Sequence, residues 1–313
     1  MSDKVAPKQK LILGSRGSAL ALTQAKMIQR MLEEAHKGLE VQLEIIKTSG
    51  DADQSTKLDS FPAFGVFVKE IQAALIDKRI DAAVHSLKDV PEDEPKELVL
   101  AAFPVREDAR DVFVSNGIRF FDLPKGSKVG TGSPRRMMQL KALRPDIEFV
   151  AIRGNVDTRI AKMEKGEAAG MILAFAGLRR LGKASTATHS FSFSDSIPAI
   201  GQGVLALECR ANDNRVRELL SVLDDPITAD AARLERQFMK AVGGGCSVPM
   251  AAHAYPYGEG YRFMAVMGDV KTGKLVRIER VLELEDAGNE VSTIAQELIE
   301  ECRAQGIRTP HDP

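Results

Sequence analysis

The chain has 313 residues, in which 43 Lys and Arg stand against 44 Asp and Glu, giving a formal net charge of −1. This length allows two or three compact domains, and the balanced charge argues against nucleic-acid binding, which usually needs a basic surplus. Because there is no run of about 18 apolar residues and no apolar core after the first lysines, we expect no membrane span, no signal peptide and a cytoplasmic protein.

The first part of the chain alternates strand-like and helix-like segments. The strand-like KLILGSR precedes a helix with apolar residues at helical spacing, which Gly38 ends. VQLEIIKTSG, VFVKEIQAALIDKR and IDAAVHS then read as strand, helix and strand, and a second similar set starts near Asp108. This alternation predicts two similar α/β domains, each with a parallel sheet flanked by helices, and a cleft between them.

The last third of the chain has a different pattern. Strand-like GVLALECR and two helices precede a tail that alternates, from about Pro249, like an antiparallel meander. The tail closes on the helix-like EVSTIAQELIEECRAQG. We interpret it as a small third domain.

Cationic side chains follow nearly every predicted strand of the two α/β sets. One such arginine would mean little, but ligands bind at the carboxyl ends of strands, and guanidinium groups bind carboxylates and phosphates. We therefore expect a ligand with several negative groups, and the absence of glycine-rich nucleotide motifs disfavours a nucleotide. The polar residues of these loops are Arg16, Ser18, Lys88, Asp89, Ser133, Arg135, Arg136, Arg153, Asn155, Arg159, Arg179 and Arg180.

Asp89 is the one carboxylate among these cations, and two interpretations stay open on the residues alone. It either caps the turn before Pro91 or stabilises a positive charge that develops on a substrate. His85 lies nearby, but a lone histidine at a strand end is more often structural, and we give it no catalytic role.

The three cysteines are too far apart for a zinc site, and no other metal site is expected. Cys209 and Cys302 lie in strand-like and helix-like segments and are interpreted as packing residues. Cys246, in GGGCSVP, has two open interpretations. In the first, the glycines form a loose loop that lets a bulky group sit on the sulfur, and His253 is the nearest histidine. In the second, the glycines form a turn that closes a helix, and the cysteine has no role of its own.

Characteristic segments occur along almost the whole chain. They are GSRGSALALTQA, FVKEI, DAAVHSLKDVP, REDARDVFVSN, GTGSPRRMMQL, IRGNVDTR, AGLRRLG, IPAIGQGVLALECR and GGGCSVP. In this order they closely resemble the porphobilinogen deaminase, or hydroxymethylbilane synthase, family. The resemblance implies an α/β protein with two domains like type II periplasmic binding proteins around a cleft. A small C-terminal α/β domain with an open-faced antiparallel sheet completes it. The implied domains are residues 1–104 with 202–222, 105–201 and 223–313.

The resemblance also implies the chemistry. The family condenses four porphobilinogen molecules head to tail, releasing ammonia each time, and hydrolysis then frees hydroxymethylbilane. Cys246 would hold a dipyrromethane cofactor through a thioether, Asp89 would be catalytic, and the protein would act as a monomer. The positions that match cofactor or substrate binding are Arg16, Ser18, Gln24, Lys88, Ser133, Arg135, Arg136, Arg153, Asn155, Arg159 and Arg180.

One loop departs from the family pattern. Where a lysine- and glycine-rich segment is usual, this chain has LDSFPAFGVFVKE, with Ser60 and Phe64 in place of lysines and Pro62 in place of a glycine. This argues against loop lysines in binding and predicts a stiffer, more apolar lid. The altered loop keeps open the alternative of an inactive relative. A second alternative, independent of this loop, is a non-catalytic anion-binding protein of the same two-lobed fold.

Overall fold

The computed structural model describes residues 9–47, 68–243, 249–310 and 312. Cys246 and most of the unusual loop, including Ser60, Pro62 and Phe64, lie outside the described residues. The chain divides into two compact units, Met1–Val105 with Leu205–Pro226 and Arg106–Val204 with Ile227–Pro313. Within the described ranges, no helix has both the length and the apolar character needed to cross a membrane.

Strands and helices alternate along most of the described chain, as the sequence predicted. The strands are β1 (Gln9–Arg16), β2 (Leu39–Ile46), β3 (Ala82–Ser86), β4 (Leu98–Ala102), β5 (Asp111–Ser115), β6 (Lys128–Gly130), β7 (Glu148–Val150), β8 (Gly170–Ala174), β9 (Ala187–Ser190), β10 (Leu205–Arg210), β11 (Met250–Tyr257), β12 (Gly260–Gly268) and β13 (Leu275–Leu282). The helices are α1 (Ala19–Ala35), α2 (Lys69–Ile76), α3 (Pro134–Leu143), α4 (Val156–Glu164), α5 (Phe175–Arg180), α6 (Asn214–Ser221), α7 (Pro226–Val242) and α8 (Ala287–Ala304).

Helix α1 illustrates how local sequence sets these bounds. The hydroxyl of Ser18 accepts a hydrogen bond from the Ala21 amide at 3.3 Å and so satisfies one of the unpaired donors of the first turn. Ile28 and Leu32, one turn apart, are fully buried against the sheet. Gly38 then takes φ +85°, a left-handed conformation in which a side chain would be strained, and the chain turns into β2.

The first unit contains a five-stranded sheet in the order β2-β1-β3-β10-β4. β1 is parallel to β2 and β3, whereas β10 is antiparallel to both β3 and β4. The expected parallel pairing holds for β1, β2 and β3, whereas β10 comes from a later part of the chain and enters the sheet in the opposite direction. Apolar clusters cover both faces, one with α1 and α6 and the other with α2.

The second unit contains an equivalent sheet in the order β7-β6-β8-β5-β9. β6 is parallel to β7 and β8, and β5 is antiparallel to β8 and β9, so an inserted antiparallel strand again occupies the fourth position. The prediction of two similar α/β sets of the type II binding-protein kind is therefore confirmed by the shared strand order.

The second unit also contains a three-stranded antiparallel sheet, β11-β12-β13. Helices α7 and α8 pack on it through fully buried side chains such as Phe238, Phe263 and Leu298. On another side, Ala251 and Val266 pack with Met138 of α3, which lies in the same unit. The predicted C-terminal antiparallel sheet with a closing helix is confirmed.

Candidate functional site

Three predicted site residues lie at one edge of the first sheet. β1 and β3 run parallel, with Leu13 paired to Ala82, so their carboxyl ends meet at the same edge. Arg16 is the last residue of β1, and Lys88 and Asp89 form a short 3-10 turn directly after β3. All three side chains are half-buried. The first unit therefore presents two cations and one carboxylate at this edge.

Ser18 directly precedes α1 and Gln24 lies on it, and this helix starts at the same edge. Ser18 caps the helix, whose N-terminal amides and dipole favour anions. Gln24 is buried, and its amide nitrogen donates to the Ser86 hydroxyl at 3.1 Å. Gln24 thus contacts the end of β3, three residues before Asp89.

The second sheet carries its polar residues at the corresponding edge. β6 is parallel to β7 and β8, so the segments that follow these three strands lie together. Ser133 and Asn155 cap α3 and α4, accepting amide hydrogen bonds at 3.4 and 2.9 Å. Arg153 is exposed just after β7, and Arg180 ends α5. Several guanidinium groups therefore lie along one edge, as predicted, and the structure adds two capped helix N-termini to them.

Arg159 and Arg180 are oriented by backbone carbonyl groups. Arg159 Nε donates to the Gly154 oxygen at 2.8 Å, and Arg180 Nη2 donates to the Gly203 oxygen at 2.7 Å. Burial lowers the pKa of both, and that of Arg180 falls to about 10. Both side chains stay charged at neutral pH and have further donors for an anionic group.

Arg135 and Arg136 differ from the other predicted arginines because they are buried and paired with a carboxylate. They contact Asp111, which is fully buried, at 2.8 and 2.7 Å. Gln202 and Ser196 also donate to Asp111, at 2.9 and 3.0 Å. Burial would raise the pKa of Asp111, but the two guanidinium groups outweigh it and hold that pKa well below its usual range.

A second buried carboxylate, Glu235, lies on α7. It accepts from Arg106 at 2.6 Å and from the amides of Gly201 and Ala254 at 2.7 and 2.9 Å. Burial would raise the pKa of Glu235, but Arg106 and His253 outweigh it and lower that pKa to about 2. His253 Nδ1 lies 3.1 Å from Glu235, and burial lowers the pKa of this histidine. His253, the histidine nearest Cys246 in sequence, is therefore a structural partner of Glu235.

Sequence reasoning missed Asp111 and Glu235. Asp111 opens the apolar strand DVFVS, and Glu235 lies on the buried face of an amphipathic helix. An acid inside an apolar pattern predicts a buried partner of opposite charge, and this was the available signal.

Cys209 and Cys302 are both fully buried. Burial raises the pKa of each thiol to about 11, so neither is a nucleophile at neutral pH. Their interpretation as packing residues is confirmed. Across the described part of the chain, no group of three or more His, Cys, Asp or Glu side chains could hold a metal ion.

Comparisons with known proteins match most of the chain. A family model described as the porphobilinogen deaminase, dipyromethane cofactor binding domain matches residues 11–218, and the C-terminal domain model of that family matches residues 229–300. A porphobilinogen deaminase of Syntrophotalea carbinolica is 46% identical over 85% of this chain and 85% of its own length. One of Lysinibacillus sphaericus is 42% identical over 95% of this chain and 98% of its own.

Similar solved structures are much more distant. An arginine-specific periplasmic binding protein of Salmonella typhimurium has 15% identity and a TM-score of 0.37, covering 73% of this chain and 97% of that one. The VFT2 domain of Bordetella pertussis BvgS has 14% identity and a TM-score of 0.41, covering 74% and 92%.

Proposed function

The chain belongs to the porphobilinogen deaminase family, and on this premise we propose that it condenses four porphobilinogen molecules head to tail, with release of ammonia. The enzyme is a transferase of tetrapyrrole biosynthesis, and hydrolysis of the finished chain frees hydroxymethylbilane. The observation that carries the proposal is the placement of Lys88 and Asp89 in one short turn after β3, at the edge where β1 ends in Arg16.

Asp89 is the proposed catalytic residue. As ammonia leaves porphobilinogen, positive charge develops on the pyrrole, and a fixed carboxylate close to the ring nitrogen stabilises that charge more than it stabilises the neutral substrate. Arg16 and Lys88 bind the acetate and propionate groups, which are the anions that guanidinium and ammonium donors at a sheet edge recognise.

In the second unit, Arg153, Arg159 and Arg180 are proposed to bind further carboxylates. The N-termini of α3 and α4, which Ser133 and Asn155 cap, are proposed to assist them. Arg135 and Arg136 contribute differently. With Asp111 between them, two guanidinium groups and one carboxylate leave a net charge of about +1, a buried cationic centre that favours anions at this edge.

The proposed cofactor is a dipyrromethane held through a thioether at Cys246. Its carboxylate groups match the donor set of the second unit, in which Arg159 and Arg180 each donate one N–H to a backbone carbonyl group and carry further guanidinium N–H groups. When bound, the cofactor supplies the nucleophilic pyrrole carbon that accepts the first porphobilinogen unit. The chain's own residues hold the carboxylates, and Asp89 stabilises the charge on the arriving substrate.

We further propose the three-domain division given by the resemblance, a monomeric state and a cytoplasmic location. The function is tested by incubating the purified protein with porphobilinogen and measuring ammonia and hydroxymethylbilane together. Stoichiometric release of both supports the proposal, and Asp89→Asn is the matched inactive control. A protein that binds porphobilinogen without turnover would instead support a non-catalytic anion-binding protein, and gel filtration of the same sample tests the monomer.

A further inference from the structure

A buried carboxylate lies beside the strand that leads to Asp89, and the proposed chemistry does not use it. Glu208, in the middle of β10, is 0% exposed. Its Oε1 accepts from Gln72 Nε2 of α2 at 2.8 Å, and its Oε2 lies 2.9 Å from His85 Nε2 of β3. All three side chains are buried.

The surroundings of Glu208 make these two contacts important. Ile71, Leu75 and Ala83 form an apolar cluster on the α2 side of the sheet, where bulk water cannot solvate a carboxylate. A buried acid without hydrogen bonds is costly, so Glu208 ties the positions of Gln72 and His85 to its own.

The end of β3 is also held on its opposite face. Ser86 is the neighbour of His85, and successive side chains of a strand point to opposite faces of the sheet. The Ser86 hydroxyl contacts Gln24 of α1 at 3.1 Å. Two polar contacts, one on each face, therefore fix the last two residues of β3, and the turn Leu87–Asp89 begins at the next residue.

We propose that His85, Glu208 and Gln72 are positioning residues that fix the end of β3 and so hold Asp89 in its reactive place. The inference deepens the proposed function and rests on it where Asp89 is called catalytic. A carboxylate that stabilises a developing charge must be held within a fraction of an ångström, and a displacement of about 1 Å can lower a rate roughly 100-fold.

The test compares His85→Leu with His85→Gln. Leucine removes the donor to Glu208, whereas glutamine restores an N–H near the position of Nε2. The matched control is Leu220→Ala, a cavity variant of α6 that lowers the stability of the same unit from the other face of the sheet and leaves both hydrogen bonds of Glu208 intact. Two readouts are used: steady-state kinetics per folded enzyme, and amide hydrogen exchange of residues 84–90.

We expect His85→Leu to lose roughly 10- to 100-fold in kcat with KM changed by less than about threefold, and His85→Gln to stay within about threefold of wild type. Exchange of residues 84–90 should accelerate at least about tenfold in His85→Leu and much less in Leu220→Ala. If His85→Leu does not fold, the double variant His85→Leu/Glu208→Leu, which leaves no unpaired buried carboxylate, should show the same losses.

The inference is overturned if His85→Leu, or the double variant in its place, keeps wild-type kcat per folded molecule and wild-type exchange of residues 84–90. It is also overturned if His85→Gln is as impaired as His85→Leu, because the hydrogen bond then has no part in the effect. If wild type itself does not convert porphobilinogen, the proposed function fails, and the exchange comparison alone decides whether Glu208 and His85 fix this turn.

Discussion

Replacing Asp111 with asparagine tests the buried cationic centre of the second unit. The amide keeps the size of the side chain but removes the charge that compensates Arg135 and Arg136. Both guanidinium groups contact Asp111 within 2.8 Å, and the carboxylate is 0% exposed. Water therefore cannot reach this position to solvate the guanidinium groups that lose their counter-charge. The NH₂ group of asparagine would also face a guanidinium donor.

The expected loss is large for a single substitution. Breaking a buried ion pair by removing one partner costs about 3–5 kcal/mol, and we expect about 4 kcal/mol here. In a unit of roughly 150–250 residues each kcal/mol lowers Tm by about 2–4 °C, so the variant should melt about 8–16 °C below wild type. The pKa of Asp111 is lower in the folded protein than in the unfolded chain, so the charged carboxylate stabilises the fold fully above the unfolded pKa of about 4. This stabilisation is lost as pH falls towards the folded pKa.

Thermal and urea unfolding of both proteins measure these quantities from pH 3 to pH 8. The matched control is Asp146→Asn, since Asp146 pairs with Arg144 at 2.7 Å but remains 27% exposed, so that its loss should change Tm far less than the loss of Asp111. The difference in free energy of unfolding between wild type and Asp111→Asn should be constant from about pH 5 to 8 and become smaller below about pH 4. Equal Tm values for the two variants would refute the assignment of Asp111 as the partner of both arginines.

Three further predictions concern the site and its supports. Asp89→Asn should lose roughly 100-fold or more in kcat while substrate binding is largely kept, because only the transition state carries the charge; near-normal turnover would remove Asp89 from the mechanism. Arg153→Leu should instead raise KM or lower cofactor loading, measured by kinetics and intact mass, and full activity with normal loading would count against the cationic edge. The charged Glu235 should stabilise the protein by roughly 3 kcal/mol above about pH 5, and this stabilisation should be lost as pH falls towards 2. The difference in free energy of unfolding between wild type and Glu235→Gln should therefore become smaller in acid, and a difference that does not change with pH would contradict this.

The sequence predicted those parts of the fold that depend on local periodicity. Helix α1 ends shortly before Gly38, as the apolar spacing and the glycine predicted, and the cations follow strands because each loop directly succeeds its strand. Local pattern did not predict the direction of β10, since a strand that joins a sheet from a distant part of the chain carries no signal of its orientation.

Local sequence also could not predict which arginines are buried and paired with a carboxylate. Arg135 and Arg136 follow a strand of the second sheet, as Arg153 does, yet their partner Asp111 is more than twenty positions away in the chain. His85 similarly owes its place to Glu208, which joins β3 only after the second sheet has been completed. The topology of the sheets brings residues so far apart into contact, and the periodicity of neighbouring residues cannot predict such pairings.

The central claim is that this chain extends a covalent primer on Cys246 with porphobilinogen. Intact-protein mass spectrometry tests it before and after incubation with porphobilinogen, on wild type, Cys246→Ser, Cys209→Ser and Cys302→Ser. We expect wild type and the last two variants to carry a dipyrromethane and to gain increments of one porphobilinogen less ammonia, while Cys246→Ser has the bare polypeptide mass. An unmodified wild type after incubation, or an adduct that survives in Cys246→Ser, would contradict the account.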